Sequence, residues 1–339
     1  MRKEASLESW RELYEITGNI KKLAPWEYLW DTDLIAISLP EREEPIFCSI
    51  MGRGGTYYGI SAYIGFEGLA DFDMIARSEE TGLPVDYIMS DQSNLSCYFG
   101  SRDELQVEQR KLIKNLELKF RGQGNWLYYE SYKKGYTPYL PDEEEVLLLI
   151  DIHKNLYMAL KAYIEEGCKV DFEHGMCLWR TYSDEEKLWF TGEKPIPAVE
   201  KEYPYVELTD EILKRRLKKR PRVKTEIILE LSYMNGKVKE EGYDRPINPL
   251  LFVAIDASNG MVMGTQLLRP DDDVTGVIVN FVGNYILKVG RMKKIIARIP
   301  TILTALEDTC NYCEIALDEE DDRIWMADEF ITGLKDRTK

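Results

Sequence analysis

The chain has 339 residues, 44% of them hydrophobic and 11% aromatic, enough to bury more than one sizeable core. Lysine and arginine number 44 against 60 aspartate and glutamate, and the formal charge of −16 excludes indiscriminate binding to nucleic acid or to an anionic membrane surface. Charges run through MRKEASLESWRELYEITG, where a secretion signal would need an apolar stretch, and nowhere do about 18 apolar residues follow one another. A soluble, cytoplasmic protein with no membrane contact is expected.

In chain order, the first helix is predicted from about Leu7 to Lys22, capped by Ser6, with Trp10, Leu13, Tyr14, Ile20 and Leu23 on one stripe. PWEYLWDTDLIAI leads into a strand, and Ile46 to Met51 and Tyr57 to Ile64 read as two more around the GRGG turn. A helix begins near Glu67 and stops at TGLP, residues 81–84. The segment from Gly122 to Pro141 holds Trp126, five tyrosines, Lys133 and Lys134, and reads as a long irregular surface loop pinned by aromatic burial. Asp142 to Glu166 is the clearest helix: acidic residues crowd its start, Gly167 offers a left-handed stop, and its middle is apolar over more than half its circumference.

Gly175 to Phe190 suggests a short hairpin bearing Trp179 and Trp189, followed by the proline-rich EKPIPAVEKEYPY. A helix over Leu208 to Lys219 is expected, capped by Thr209. Beyond Arg222 come strands near Thr225 to Tyr233, Leu250 to Asp256 and Met261 to Leu268, a helix at Asp272 to Val289, and a strand at Lys293 to Ile299. A helix at Thr301 to Tyr312, a strand at Cys313 to Leu317 and a closing helix at Ile324 to Leu334 complete the order. The domains expected are residues 1–168, a connector over 169–221, and 222–339. The first is an α+β domain with a β-meander and helices.

Several residue groups invite a functional reading. Trp126, Tyr128, Tyr129, Tyr132, Lys133, Lys134 and Tyr136 would form a contact surface if their segment is exposed. KRRLKKRPRVK, residues 214–224, has eight basic residues in eleven; Arg215, Arg216, Lys218, Lys219 and Arg220 are its candidates for gripping phosphates, against the plainer role of pairing with the protein's own acids. Cys168, His174 and Cys177, with Asp171 and Glu173 nearby, are the candidate ligands for a zinc ion, against a spacing that fits no common zinc pattern, and no cofactor is expected. His153 reads as a hydrogen-bonded core residue. Cys310 and Cys313 fall at the end of a helix, where nothing lowers a thiol pKa, and all six cysteines are expected reduced. Asp271 to Asp273 suit a helix N-terminus.

Three strands in meander, then helix, strand, helix and strand, with LLFVAIDASNGMVMGTQLL as the second and third strands and their turn, resemble the ribonuclease H-like core of integrases and transposases. The resemblance implies a C-terminal α/β domain of ribonuclease H-like topology (βββαβαβ). It also implies metal-holding carboxylates, the first on the opening strand, where Glu226 and Glu230 stand. The second belongs after the strand that follows the first helix, and there the chain reads Ala297, Arg298, Ile299 and Pro300, with no carboxylate. PWEYLWDTDL, FRGQGNWLYYESYKKGYTPYLPDEEE and the 249–269 hairpin together make the whole chain resemble a bacterial family of two-domain proteins of unknown function. The function expected is non-catalytic binding or interaction, with a protein partner and local nucleic-acid contact through residues 214–224 as the lesser option. The alternative is a divergent metal-dependent nuclease or phosphoryl-transfer enzyme in which Glu230, Asp256 and Asp272 converge on a divalent metal.

Overall fold

The computed structural model describes residues 2–338, which form two compact units. The first unit comprises the chain through Ala76, then Gln92–Lys134 and Pro138–Lys201; the second comprises Arg77–Asp91, Gly135–Thr137 and everything from Glu202 onward. Among the described residues no helix is long and apolar enough to cross a membrane.

The first unit opens with α1 (Leu7–Leu23), whose first turn is closed by Ser6 accepting from the Ser9 amide. A meander follows: β1 (Ile35–Ser38), β2 (Ile46–Met51) and β3 (Gly59–Ile64), paired antiparallel. The helix expected near Glu67 begins earlier, as α2 (Gly65–Ala76). It also ends earlier than expected, because a separate turn, α3 (Ser78–Thr81), carries the chain to Gly82 at φ +65°. That turn and α4 (Val85–Ser90) belong to the second unit. Residues 85–121, where the sequence pattern predicts no element, supply β4 (Asn94–Gly100) and α5 (Val107–Asn115) besides α4.

The segment expected to be an irregular loop is instead largely β5 (Trp126–Tyr132), the edge of the sheet, paired along its length with β4. The reason is a period-two pattern of β-formers: Leu127 and Tyr129 turn into the core, Tyr129 with no exposed surface. Next comes α6 (Glu143–Ile164), begun by reciprocal capping between Asp142 and Glu145 with three glutamates at its positive end; Gly167 lies just beyond at φ +75°. Strands β6 (Met176–Ser183) and β7 (Leu188–Pro195) form the expected hairpin, and β6 pairs parallel with β1. The sheet order is β5-β4-β3-β2-β1-β6-β7.

Alternation along the strands sorts this unit into two layers. Ile35, Ile37, Cys48 and Ile50 face the core made with α1 and α6, whereas Leu34, Ala36 and Phe47 face the side where Leu69 of α2 packs. The long helix α6 is covered by the sheet and by α1, which explains its broad apolar surface.

The second unit contains α7 (Glu211–Lys218), capped by Asp210 and not by Thr209: the Asp210 carboxylate accepts from the Ile212 and Leu213 amides. Then come β8 (Glu226–Tyr233), β9 (Leu250–Asp256), β10 (Val262–Leu268), α8 (Val274–Lys288), β11 (Lys294–Ile296), α9 (Pro300–Cys313), β12 (Ala316–Asp318) and α10 (Trp325–Thr338). The sheet order is β10-β9-β8-β11-β12, with β8, β9 and β10 antiparallel and β8, β11 and β12 mutually parallel. Ile227, Leu229 and Leu231 face α8 and α9, while Ile228, Val253, Ile255 and Ile296 face α10. Both units are therefore mixed α and β.

Candidate functional site

The most chemically distinctive cluster of the second unit sits under α10. Glu230 lies in the middle of β8, opposite Val253, and so shares the face of Ile228 that α10 covers; it is 1% exposed. Arg298 follows β11 in the turn before α9, and Asp328 stands in the first turn of α10. The three meet. Arg298 Nε is 2.9 Å from Glu230 Oε2, although its N–H is not aimed at that oxygen, so the contact is coulombic and not a hydrogen bond. The guanidinium also donates through Nη2 and Nη1 to the two oxygens of Asp328.

Burial pushes the Glu230 carboxyl up to about 7, with Asp328 adding to the rise and Arg298 opposing it. A single cation thus serves two carboxylates. A guanidinium belonging to the chain itself stands between the two acids. Asp328 escaped the sequence reading because it looks like any acidic residue early in a helix; the signal that marks it is its place beside Ala327, whose side chain is fully buried.

The other carboxylate candidates do not join this cluster. Asp256 pairs across the ladder with Ile227, whose side chain lies on the α8 and α9 face, so Asp256 and Glu230 project from opposite faces of the sheet. Its Oδ1 accepts from the Ser258 amide and hydroxyl, and its carbonyl accepts from the Gly260 amide, which holds the DASNG turn. Asp272 accepts from the Arg269 amide, and Asp273 caps α8 through the Gly276 amide. Glu226 is bound to Lys293 and Arg323. Among the described residues no group of three or more His, Cys, Asp and Glu side chains is arranged to hold a metal ion.

Cys168 packs against the α1 and α6 core, whereas Cys177 lies in the layer on the other side of the sheet, and His174 is exposed with Nδ1 2.8 Å from Asp171. His153 is buried, with Nδ1 2.7 Å from the Thr17 hydroxyl. Cys310 and Cys313 are buried at the end of α9, and burial pushes the Cys310 thiol up to about 12.

The aromatic segment is divided between the two units. Tyr129 is core, its hydroxyl donating to Thr17 Oγ1; Tyr128 is 8% exposed; Tyr132 donates to Glu130; Trp126 is half-buried. Lys133 is paired with Glu145, and Lys134 with Glu67 and Asp71. Tyr136 belongs to the second unit, edge-on to Tyr243. The basic run is divided as well. Lys218 and Arg222 meet Glu314, which holds that carboxyl down to about 2, and Arg220 donates to the Ile286 and Lys288 carbonyls at the end of α8. Arg215, Arg216 and Lys219 are exposed and, among the described residues, have no carboxylate partner.

No curated protein and no solved structure matches the chain. Residues 213–335 match the family model described as a domain of unknown function, DUF6930. Together with the match below, it bears out the expected two-domain family of unknown function. Residues 10–180, just over half of the chain, match the model of another domain of unknown function, DUF7309, and the chain belongs to that family.

Proposed function

We propose that this chain is a non-catalytic binding or interaction protein of the bacterial cytosol, with a protein as its partner. The observation that carries the reading is Arg298, placed between the buried Glu230 and the half-exposed Asp328 so that both carboxylates take their counter-charge from the chain itself. Buried charge of this kind is costly unless paired, and here the counter-charge comes from the chain itself, although Glu230 Oε2 accepts no hydrogen bond from it. The strand order β10-β9-β8-β11-β12, with an antiparallel meander followed by parallel strands, supports reading this unit as a ribonuclease H-like core. On that reading the arginine follows the strand where the resemblance would have a second metal-holding carboxylate. Six free thiols, five of them buried, support a reducing compartment.

The test is a cleavage assay on single- and double-stranded DNA and RNA with Mg²⁺ or Mn²⁺, comparing the wild type with Glu230→Gln. Equal background in both is expected. Cleavage by the wild type that disappears in Glu230→Gln would overturn the proposal.

A further inference from the structure

The first unit contains a cavity of about 580 Å³, within the size range of small-molecule sites. Its floor is apolar: Tyr14, Phe99, Leu116 and Leu127 are each less than a tenth exposed. Its rim is cationic, with Arg11, Lys21, Lys119 and Arg121 against the single carboxylate of Glu15. In a chain of formal charge −16 this is a local reversal of sign. Among the described residues, none of these four cations has a carboxylate within ion-pair distance.

Two details give the cavity a chemical preference. Lys21, half-buried in the last turn of α1, rests over the Phe99 ring at 5.1 Å and donates to the Gly124 carbonyl and to Asn125 Oδ1 at 3.1 and 2.9 Å. Both acceptors are neutral, and an ammonium has three protons, so one donor of a partly desolvated cation is left for an anion. Burial already pushes the Lys21 ammonium's pKa down, and a bound anion would reverse that cost. The second detail is Gly18, inside α1 and on the cavity wall, where a Cβ would meet nothing within 4 Å. Glycine inside a helix is unfavourable, and no neighbour here requires it; its effect is to leave the wall open.

We infer that this cavity binds a small anionic amphiphile, an organic carboxylate whose apolar body lies on the half-buried Leu118 and Phe120 while its head meets Lys21 and the outer arginines. One remaining Lys21 proton suits a single carboxylate oxygen, and the exposed rim supplies the longer-range attraction. The inference goes beyond the reading of the second unit and does not depend on it, so its failure would leave the cleavage comparison unaffected.

The experiment is calorimetric titration of the full chain with decanoate, decanol and decyltrimethylammonium, all below their aggregation limits. Saturable binding of decanoate, weaker binding of decanol and none of the cation are expected. Lys21→Met keeps the aliphatic stem over Phe99 and should weaken decanoate about tenfold or more, the loss of one charged hydrogen bond. Gly18→Leu should fill the cavity and abolish binding while the thermal midpoint stays at or above that of the wild type. The inference is overturned if decanoate does not bind, if the cationic amphiphile binds as well, or if Gly18→Leu folds and binds decanoate unchanged.

Discussion

Lys21 and Arg298 are both partly buried cations, and they differ in what surrounds them. Arg298 stands between two carboxylates of its own unit, whereas Lys21 touches a carbonyl, an amide oxygen and an aromatic ring and, among the described residues, is in ion-pair contact with no carboxylate. The difference teaches where a guest is to be expected: a cation whose counter-charge is built in has structural work, and one without it has capacity left over. Buried acid and base chemistry separates the units in the same way. His153 in the first unit is buried against a neutral hydroxyl, and burial pushes its imidazole down to about 3, while burial pushes Glu230 in the second unit up to about 7.

The comparison is broken most forcefully at Arg298. Arg298→Met leaves Glu230 buried without its counter-charge, and at pH 8 should cost the second unit about 3–5 kcal/mol, read from hydrogen exchange of the β8 amides. At pH 5 the loss should be smaller, because Glu230 then holds a proton. Equal losses at both values would show that the pair is not what Arg298 supplies.

Glu230 itself sets a second, smaller effect. Its folded pKa is raised above the ordinary value, so the folded state binds the extra proton, and the associated stability is present below about pH 4.5 and lost as the pH rises through about 7. The change is on the order of 3 kcal/mol in the second unit. Glu230→Gln should flatten it; a slope unchanged in the variant would assign the effect to other groups.

His153 predicts the opposite sign in the first unit. The unfolded chain gains a proton below about pH 6.5 while the buried imidazole stays neutral to about 3, so stability is present above 6.5 and falls as the pH is lowered. Between pH 6.5 and 5 the loss should be about 2 kcal/mol. Denaturant unfolding followed by tryptophan fluorescence can read it, since Trp10, Trp26, Trp30, Trp126, Trp179 and Trp189 all lie in this unit. A His153→Gln variant with the same pH profile would refute the assignment.

Much of the second unit was legible in the sequence, because its strands are runs of Leu, Ile and Val bounded by the Asn259-Gly260 turn and by capping residues such as Asp273. The edge strand β5 was not: glycines before it and tyrosines along it look like loop composition, and only the inward alternation of Leu127 and Tyr129 reveals a strand. The cavity was invisible for another reason. Its walls come from residues 11–21, Phe99 and residues 116–127, which only the fold brings together, and Lys21 alone reads as an ordinary cation at the end of a helix. Arg298 was visible as a missing carboxylate, yet its pairing with Asp328 required the position of α10.

That the Arg298 guanidinium, and not a divalent cation, is the counter-charge shared by Glu230 and Asp328 can be read by titrating Mn²⁺ into the wild-type protein at pH 8, above the raised pKa of Glu230. No saturable binding tighter than millimolar is expected. A saturable site in the wild type that Glu230→Gln removes would contradict it.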